Sequence, residues 1–293
     1  MPTKSTPKFI FFGSSRFSVI VLDELERAGF SPTAVVTTPD KPQGRKMILT
    51  PTPVKTWALA KKIPILDPAK LDDYKADLFI VASYGKIISQ AVLDLPKHKT
   101  LNIHPSLLPK YRGASPLQSA MLDDTKETGV TIMQVDAQMD HGPIVAQEKV
   151  RIGEAGLEKS DLTEWPTYEI FEELMAKKGA QLLARVMPDW VAGKIQAMPQ
   201  NHAAATFTKK IKKEDGLIDL SMQYNAFRKI QAFHDWPQAY FFIEHGGKNL
   251  RIKITKASWQ DAIADAPAKL VIEKVIPEGS REMPYEDFLR GLH

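Results

Sequence analysis

The first half of the chain alternates between short, wholly apolar runs and longer stretches with apolar residues at helical spacing. Lys8-Phe9-Ile10-Phe11-Phe12-Gly13 reads as a strand buried on both faces and ended by Gly13. Ser14-Ser15 forms a short turn into a helix over Phe17 to Ala28, with Val19, Ile20, Leu22 and Leu25 apolar and Gly29 as the stop. A strand from Thr33 to Thr37 then completes a βαβ unit. The pattern next predicts a helix from Pro53 to Lys62, a short strand near Ile63 to Leu66, a buried strand from Leu78 to Ser83 and a helix from Ser89 to Leu95. A strand carrying Asn102 and His104 follows, then a helix from Ser115 to Leu122 and strands from Gly129 to Val135 and Ile144 to Arg151. Residues 167–187 read as one long helix that Pro188 stops. Such alternation argues for an α/β fold with a doubly wound sheet.

The pattern then changes. Residues 189–205, rich in Ala, Gln and Pro, read as a linker after a first domain of residues 1–188. Residues 206–293 hold a helix from Ser221 to Phe233 and strand-like segments at Ala239 to Glu244 and Leu250 to Ala257. Gly246-Gly247 joins those segments as a hairpin turn, and a short helix from Tyr285 to Leu292 ends the chain. A small β domain is the natural reading, and 293 residues suffice for about two domains.

Composition narrows the class. With 43% apolar and 25% charged residues the chain is globular in type. It has no cysteine, which excludes disulfides and thiolate metal sites and suits a reducing compartment. Met1 to Pro7 has no signal-like apolar core, and no run reaches the roughly 18 apolar residues of a membrane span. A net charge of +4 permits an anionic partner such as RNA without requiring one. The Ser14-Ser15 turn lacks G-x-G-x-x-G, which argues against a dinucleotide such as NAD.

Candidate chemistry gathers between Leu101 and Asp140. Asn102 and His104 lie two residues apart in an extended segment, so both side chains share one face. Pro105 keeps His104 out of helical backbone, as suits the carboxyl end of a strand, where ligands bind in open α/β sheets. An amide can donate to a developing oxyanion, an imidazole can move a proton near neutral pH, and a carboxylate such as Asp140 can charge-match that imidazole. With no nucleophilic serine or cysteine in the set, the attacking group belongs to a second substrate. A strand-end histidine satisfied by its neighbours and a turn aspartate are the bland alternatives. Ser106-Leu107-Leu108-Pro109 reads either as a plain connection or as a wall for a flat heterocycle, and Tyr84-Gly85 as a turn near the same edge. The Thr38 to Lys46 loop, with Lys41, Arg45 and Lys46, is a solvated loop or a basic arm for phosphates. Lys209, Lys210, Lys212 and Lys213 are a nucleic-acid patch or a solvated segment.

With Asn102, His104, the Ser106 to Pro109 loop, Gly113 and Asp140 in this order, the chain resembles the folate-dependent formyltransferase family. Further matches cover nearly its whole length: Thr38 to Arg45, Val54-Lys55, Val81 to Gly85, Glu127 to Met133, Phe207 through Asp219, Ala232 to Pro237 and Pro277-Glu278-Gly279. The resemblance implies a Rossmann-like formyltransferase domain followed by a small C-terminal β-barrel of the oligonucleotide-binding type. It implies transfer of the formyl group of 10-formyltetrahydrofolate to the α-amine of methionyl initiator tRNA, by a cytoplasmic monomer that needs no metal. Asn102 would hold the oxyanion, His104 would relay protons, and Asp140 would hold the imidazole or a bridging water. Ser106, Leu107, Leu108 and Pro109, with Tyr84 and Gly85, would cradle the folate. Arg45 and Lys46 would enter the acceptor end of the tRNA, while Lys209, Lys210, Lys212 and Lys213 would hold the outside of its arm.

Two departures stand out. The segment from Ala266-Pro267 to Pro277 is short enough to lose a hairpin and shorten the barrel, and Glu164-Trp165-Pro166-Thr167 is atypical for the family. Formyltransferases acting on amino-sugar nucleotides and formyltetrahydrofolate hydrolases share the Asn-x-His pair and distal Asp, so the basic segments carry the preference for tRNA. A non-catalytic RNA-binding protein on a degenerate α/β scaffold would not need Asn102, His104 and Asp140 together.

Overall fold

A computed structural model of the chain describes residues 6–44, 47–152, 166–262 and 266–292. The strands in chain order are β1 (Phe9–Gly13), β2 (Ala34–Val36), β3 (Lys41–Gln43), β4 (Ile48–Thr50), β5 (Leu78–Ala82), β6 (Thr100–His104), β7 (Arg112–Gly113), β8 (Glu127–Gln134), β9 (Ile144–Arg151) and β10 (Phe207–Thr208). The C-terminal strands are β11 (Tyr240–His245), β12 (Lys248–Gln260), β13 (Lys269–Pro277) and β14 (Met283–Pro284). The α-helices are α1 (Arg16–Arg27), α2 (Pro53–Lys61), α3 (Gln90–Leu93), α4 (Pro116–Leu122), α5 (Tyr168–Val191), α6 (Gln223–Ala232) and α7 (Tyr285–Arg290).

Two compact units interleave in sequence. The first comprises Met1–Gly113, Thr128–Val150 and Glu172–Phe207, and the second Ala114–Glu127, Arg151–Phe171 and Thr208–His293. The sequence pattern divides the chain instead into two continuous stretches, with α4 in the first. In the structure α4 packs on α6 of the second unit, where the Arg228 guanidinium donates to the Leu122 carbonyl (2.6 Å).

The sheet of the first unit runs β2-β1-β5-β6-β8-β9. β1 is parallel to β2 and β5, β5 is parallel to β6, and β6 is antiparallel to β8. The chain leaves β1 toward β2 on one side and returns to β5 on the other, a reversal of strand order at whose carboxyl ends open α/β sheets bind ligands. Serines close that edge. Ser15 caps α1, Ser18 Oγ donates to the Ala82 carbonyl (2.6 Å), and the Ser14 N–H donates to the Ser83 carbonyl (3.1 Å). β1 has no polar face because both of its faces are buried: Ile10 and Phe12 join Ala34, Val36, Phe79 and Tyr84 in one cluster, and Phe9 and Phe11 are fully buried as well. Tyr84 meets Phe12 edge-on at 5.5 Å, and burial, with the Asp67 carboxylate nearby, raises its phenol above the usual range.

One expectation for residues 167–205 is corrected. Pro188 does not end α5, which runs to Val191. A proline loses its own N–H donor and crowds the carbonyl four residues before it, and here those costs fall in the final turn of the helix. Beyond it the Ala192 N–H donates to the Pro188 carbonyl (3.1 Å), and the Trp190 indole N–H donates to the His98 carbonyl (2.8 Å). Within the segment read as a linker, Ile144 and Met198 exchange two backbone hydrogen bonds of 2.8 Å, adding an edge to β9.

In the second unit β11-β12-β13-β14 form an antiparallel sheet, with Gly246 and Gly247 at φ 60° and 72° in the β11–β12 turn. β13 is a strand that the sequence pattern does not predict. Among the described residues the order contains no β11–β14 pair, and the C-terminal unit is a four-stranded antiparallel sheet, in line with the small, shortened β domain expected from the sequence. Its core joins Phe241, Ile252, Ile254 and Val275 of the sheet to Ala226 and Ile230 of α6 and Phe288 of α7.

Candidate active site

Asn102 and His104 sit on β6, in register with Val81 of β5 and with Met133 and Thr131 of β8. The alternate residue Ile103 is buried on the opposite face, against α5, where the missing side chain of Gly179 makes room: a Cβ there would lie 2.5 Å from Ile103 Cγ2. The period-2 geometry of the strand therefore turns Asn102 and His104 together toward the other side.

His104 is only 4% exposed, and its Nε2 lies 2.9 Å from the Tyr111 carbonyl oxygen. A carbonyl only accepts, so Nε2 carries the hydrogen and the neutral ring presents its lone pair at Nδ1. Nδ1 faces Asp140 Oδ1 at 3.6 Å, too long for a direct hydrogen bond but close enough to charge-match a proton taken up there. The other Asp140 oxygen accepts the Gly113 N–H at 2.8 Å. Asn102 differs: it is partly exposed, and its amide has no hydrogen-bond partner among the described residues.

The Ser106 to Pro109 loop is pinned from within. Thr131 Oγ1 donates to the Ser106 carbonyl (2.6 Å) and accepts from the Leu108 N–H (3.2 Å) and Gln147 Nε2 (2.9 Å). Gln147 Nε2 also donates to the Leu108 carbonyl (2.8 Å). Ser106 is fully buried and its hydroxyl donates to the Lys110 carbonyl (2.7 Å), so this serine shapes the loop from inside. Leu108 is buried too, while Leu107 and Pro109 are half-buried apolar side chains of the loop. Tyr84 is buried, its carbonyl accepting from Ser14 Oγ (3.1 Å), and the exposed Gly85 follows at φ 77°.

One group escapes the sequence pattern. Gln200 is 5% exposed and its Nε2 donates to the carbonyls of Asp140 (2.9 Å) and Gly142 (2.7 Å). Its Oε1 accepts from Arg112 Nε (3.2 Å) and Nη2 (2.6 Å). Arg112 Nη2 also faces His202 Nδ1 at 2.9 Å, and the His202 ring stacks on His141 at 4.1 Å. Desolvation first, then the neighbouring His141 and Arg112, hold His202 below the usual histidine range, as suits an imidazole accepting from a guanidinium. Nothing in the composition of residues 189–205 marks Gln200. It is far from Pro105 and Asp140 in sequence, and only folding brings it here.

Arg45 and Lys46 lie outside the described residues; at the base of their loop Lys55 Nζ pairs with Asp40 Oδ2 at 2.8 Å. Lys209, Lys210, Lys212 and Lys213, in the second unit, are exposed, and their ammonium groups have no ion-pair partner among the described residues. No described helix is long and apolar enough to cross a membrane.

With this geometry in place, comparison with known proteins is direct. Residues 7–165 match the formyl transferase family, and residues 210–269 match the formyl transferase C-terminal domain. A methionyl-tRNA formyltransferase of Chloroflexus aggregans is 42% identical over 88% of this chain and 82% of its own. One from Halalkalibacterium halodurans is 34% identical over 97% of this chain and 94% of its own. The fold is similar to that of a solved N-formyltransferase of Helicobacter canadensis, with TM-score 0.66, 17% identity and coverage of 91% and 99% of the two chains. That enzyme was captured with folinic acid and dTDP-3-aminofucose. This chain belongs to the methionyl-tRNA formyltransferase family of formyl transferases.

Proposed function

We propose that this protein transfers the formyl group of 10-formyltetrahydrofolate to the α-amino group of methionyl initiator tRNA, with Asn102, His104 and Asp140 as its catalytic groups. The observation that carries this reading is the division of labour on β6: His104 is pinned through Nε2, while the neighbouring Asn102 amide is unengaged among the described residues. The folate supplies an activated formyl carbon. As the methionyl amine attacks it, the Asn102 amide donates to the oxygen that gains negative charge. His104 Nδ1 takes the proton released by the amine, and the Asp140 carboxylate balances the imidazolium charge. The same proton passes from Nδ1 to N10 of the departing tetrahydrofolate, so the ring ends as it began and no group on the enzyme is consumed.

Ser106, Leu107, Leu108 and Pro109, with Tyr84 and Gly85, are assigned to the folate. The pinned loop and its half-buried Leu107 suit a flat, partly apolar ring system. Arg45, Lys46, Lys209, Lys210, Lys212 and Lys213 are assigned to tRNA phosphates, and the relatives named above, which carry methionyl-tRNA in their names, support that acceptor. The protein acts in this reading as a cytoplasmic monomer. Asn102→Ala tests it: formyl transfer to methionyl initiator tRNA should fall steeply in kcat while the protein melts as the wild type does. A variant with wild-type kcat would remove Asn102 from the mechanism.

A further inference from the structure

We infer that Gln200 is a positioning residue that sets the Asp140 carboxylate against His104; this rests on the catalytic role proposed above for Asp140. Asp140 sits at φ 50°, in the left-handed region that an aspartate enters as a single turn residue, and its turn is held from two sides. On one side Gly142 lies so close to β8 that a Cβ would be 2.0 Å from the Gln134 carbonyl oxygen. On the other side one amide nitrogen, Gln200 Nε2, spends its two hydrogens on the carbonyls of Asp140 and Gly142, at 2.9 and 2.7 Å. The turn is clamped between these two sides.

Chemistry fixes which way the clamp faces. Arg112 only donates, and its Nε and Nη2 lie 3.2 and 2.6 Å from Gln200 Oε1, so the amide oxygen must face the guanidinium and the nitrogen must face the turn. Both residues are buried, Arg112 at 3% and Gln200 at 5% exposed, so water does not substitute readily for either. Gln200 has both hydrogens and its oxygen engaged by these partners, which makes its orientation single-valued. No partner of Gln200 is a reacting group. Its effect on the reaction passes through where it holds Asp140.

A double-mutant cycle on the full-length protein, assayed by formyl transfer from 10-formyltetrahydrofolate to methionyl initiator tRNA, separates this role from a general structural one. Gln200→Met keeps the length of the side chain and removes its hydrogen bonds. Gln200→Glu keeps an oxygen for Arg112 and removes the donors to the two carbonyls. Each should lower kcat about tenfold and leave KM for the folate within about twofold. In an Asp140→Ala background the same changes should alter the residual kcat less than about twofold, because the carboxylate they position is gone. An equal loss in both backgrounds, or no loss in either, overturns the inference for Gln200 alone. Wild-type turnover by Asp140→Ala overturns the proposed role of Asp140 and this inference with it. Should Gln200→Met not fold, Gln200→Glu carries the comparison under the same outcomes.

Discussion

Asn102 and His104 share one face of β6, and only His104 is tied down. Its Nε2 is committed to the Tyr111 carbonyl, so Nδ1 is the nitrogen to which the proposed mechanism assigns the moving proton. Asn102 has no such commitment among the described residues, and in the proposed mechanism it contributes what an oxyanion gains from one well-placed donor. Removing such a donor typically costs about 2.7–4 kcal/mol of transition-state stabilisation, so Asn102→Ala should lower kcat by roughly 10²–10³-fold. Steady-state rates beside a thermal melt would check this. The pair was legible in the sequence because an amide and an imidazole at period 2 before a proline already imply a shared face at a strand end. Asp140 was legible by residue type and position. Gln200 was not: it lies 60 residues beyond Asp140, and its function is to hold backbone carbonyls, which leave no signature in side-chain chemistry.

Among the elements, the Ser106 to Pro109 loop depends most on a single residue outside it. Thr131 of β8 is fully buried, and its hydroxyl serves the Ser106 carbonyl, the Leu108 N–H and Gln147 at once. Thr131→Val keeps the shape and leaves those backbone groups unmatched in the interior. Unfolding by denaturant should show a loss of about 1–3 kcal/mol, and KM for the folate should rise. Unchanged stability and KM would mean that the loop is held by something else. Most elements of the first sheet were legible from periodicity because strands buried on both faces are wholly apolar and α1 has a clear apolar side. The exception is Pro188, which reads locally as a stop, whereas a tertiary bond from Trp190 secures the turn beyond it to the first unit.

At the scale of the whole molecule the chain passes between its two compact units more than once, with α4 contributed to the second from the middle of the sequence. The amphipathic pattern of α4 does not say which neighbour it covers; in the structure it packs on α6. The second unit also presents Lys209, Lys210, Lys212 and Lys213 without ion-pair partners among the described residues. If they bind phosphates, replacing them with alanine should weaken tRNA affinity and flatten its log–log salt dependence by about 0.7–0.9 for each phosphate no longer neutralised. Unchanged affinity and slope would place the tRNA elsewhere. The central claim concerns the acceptor, and one measurement addresses it most directly: formyl transfer from 10-formyltetrahydrofolate to purified methionyl initiator tRNA, in parallel with free methionine and an amino-sugar nucleotide. The account predicts formylated product on the tRNA alone. Product on the sugar nucleotide alone, or formate released with neither acceptor modified, would contradict it.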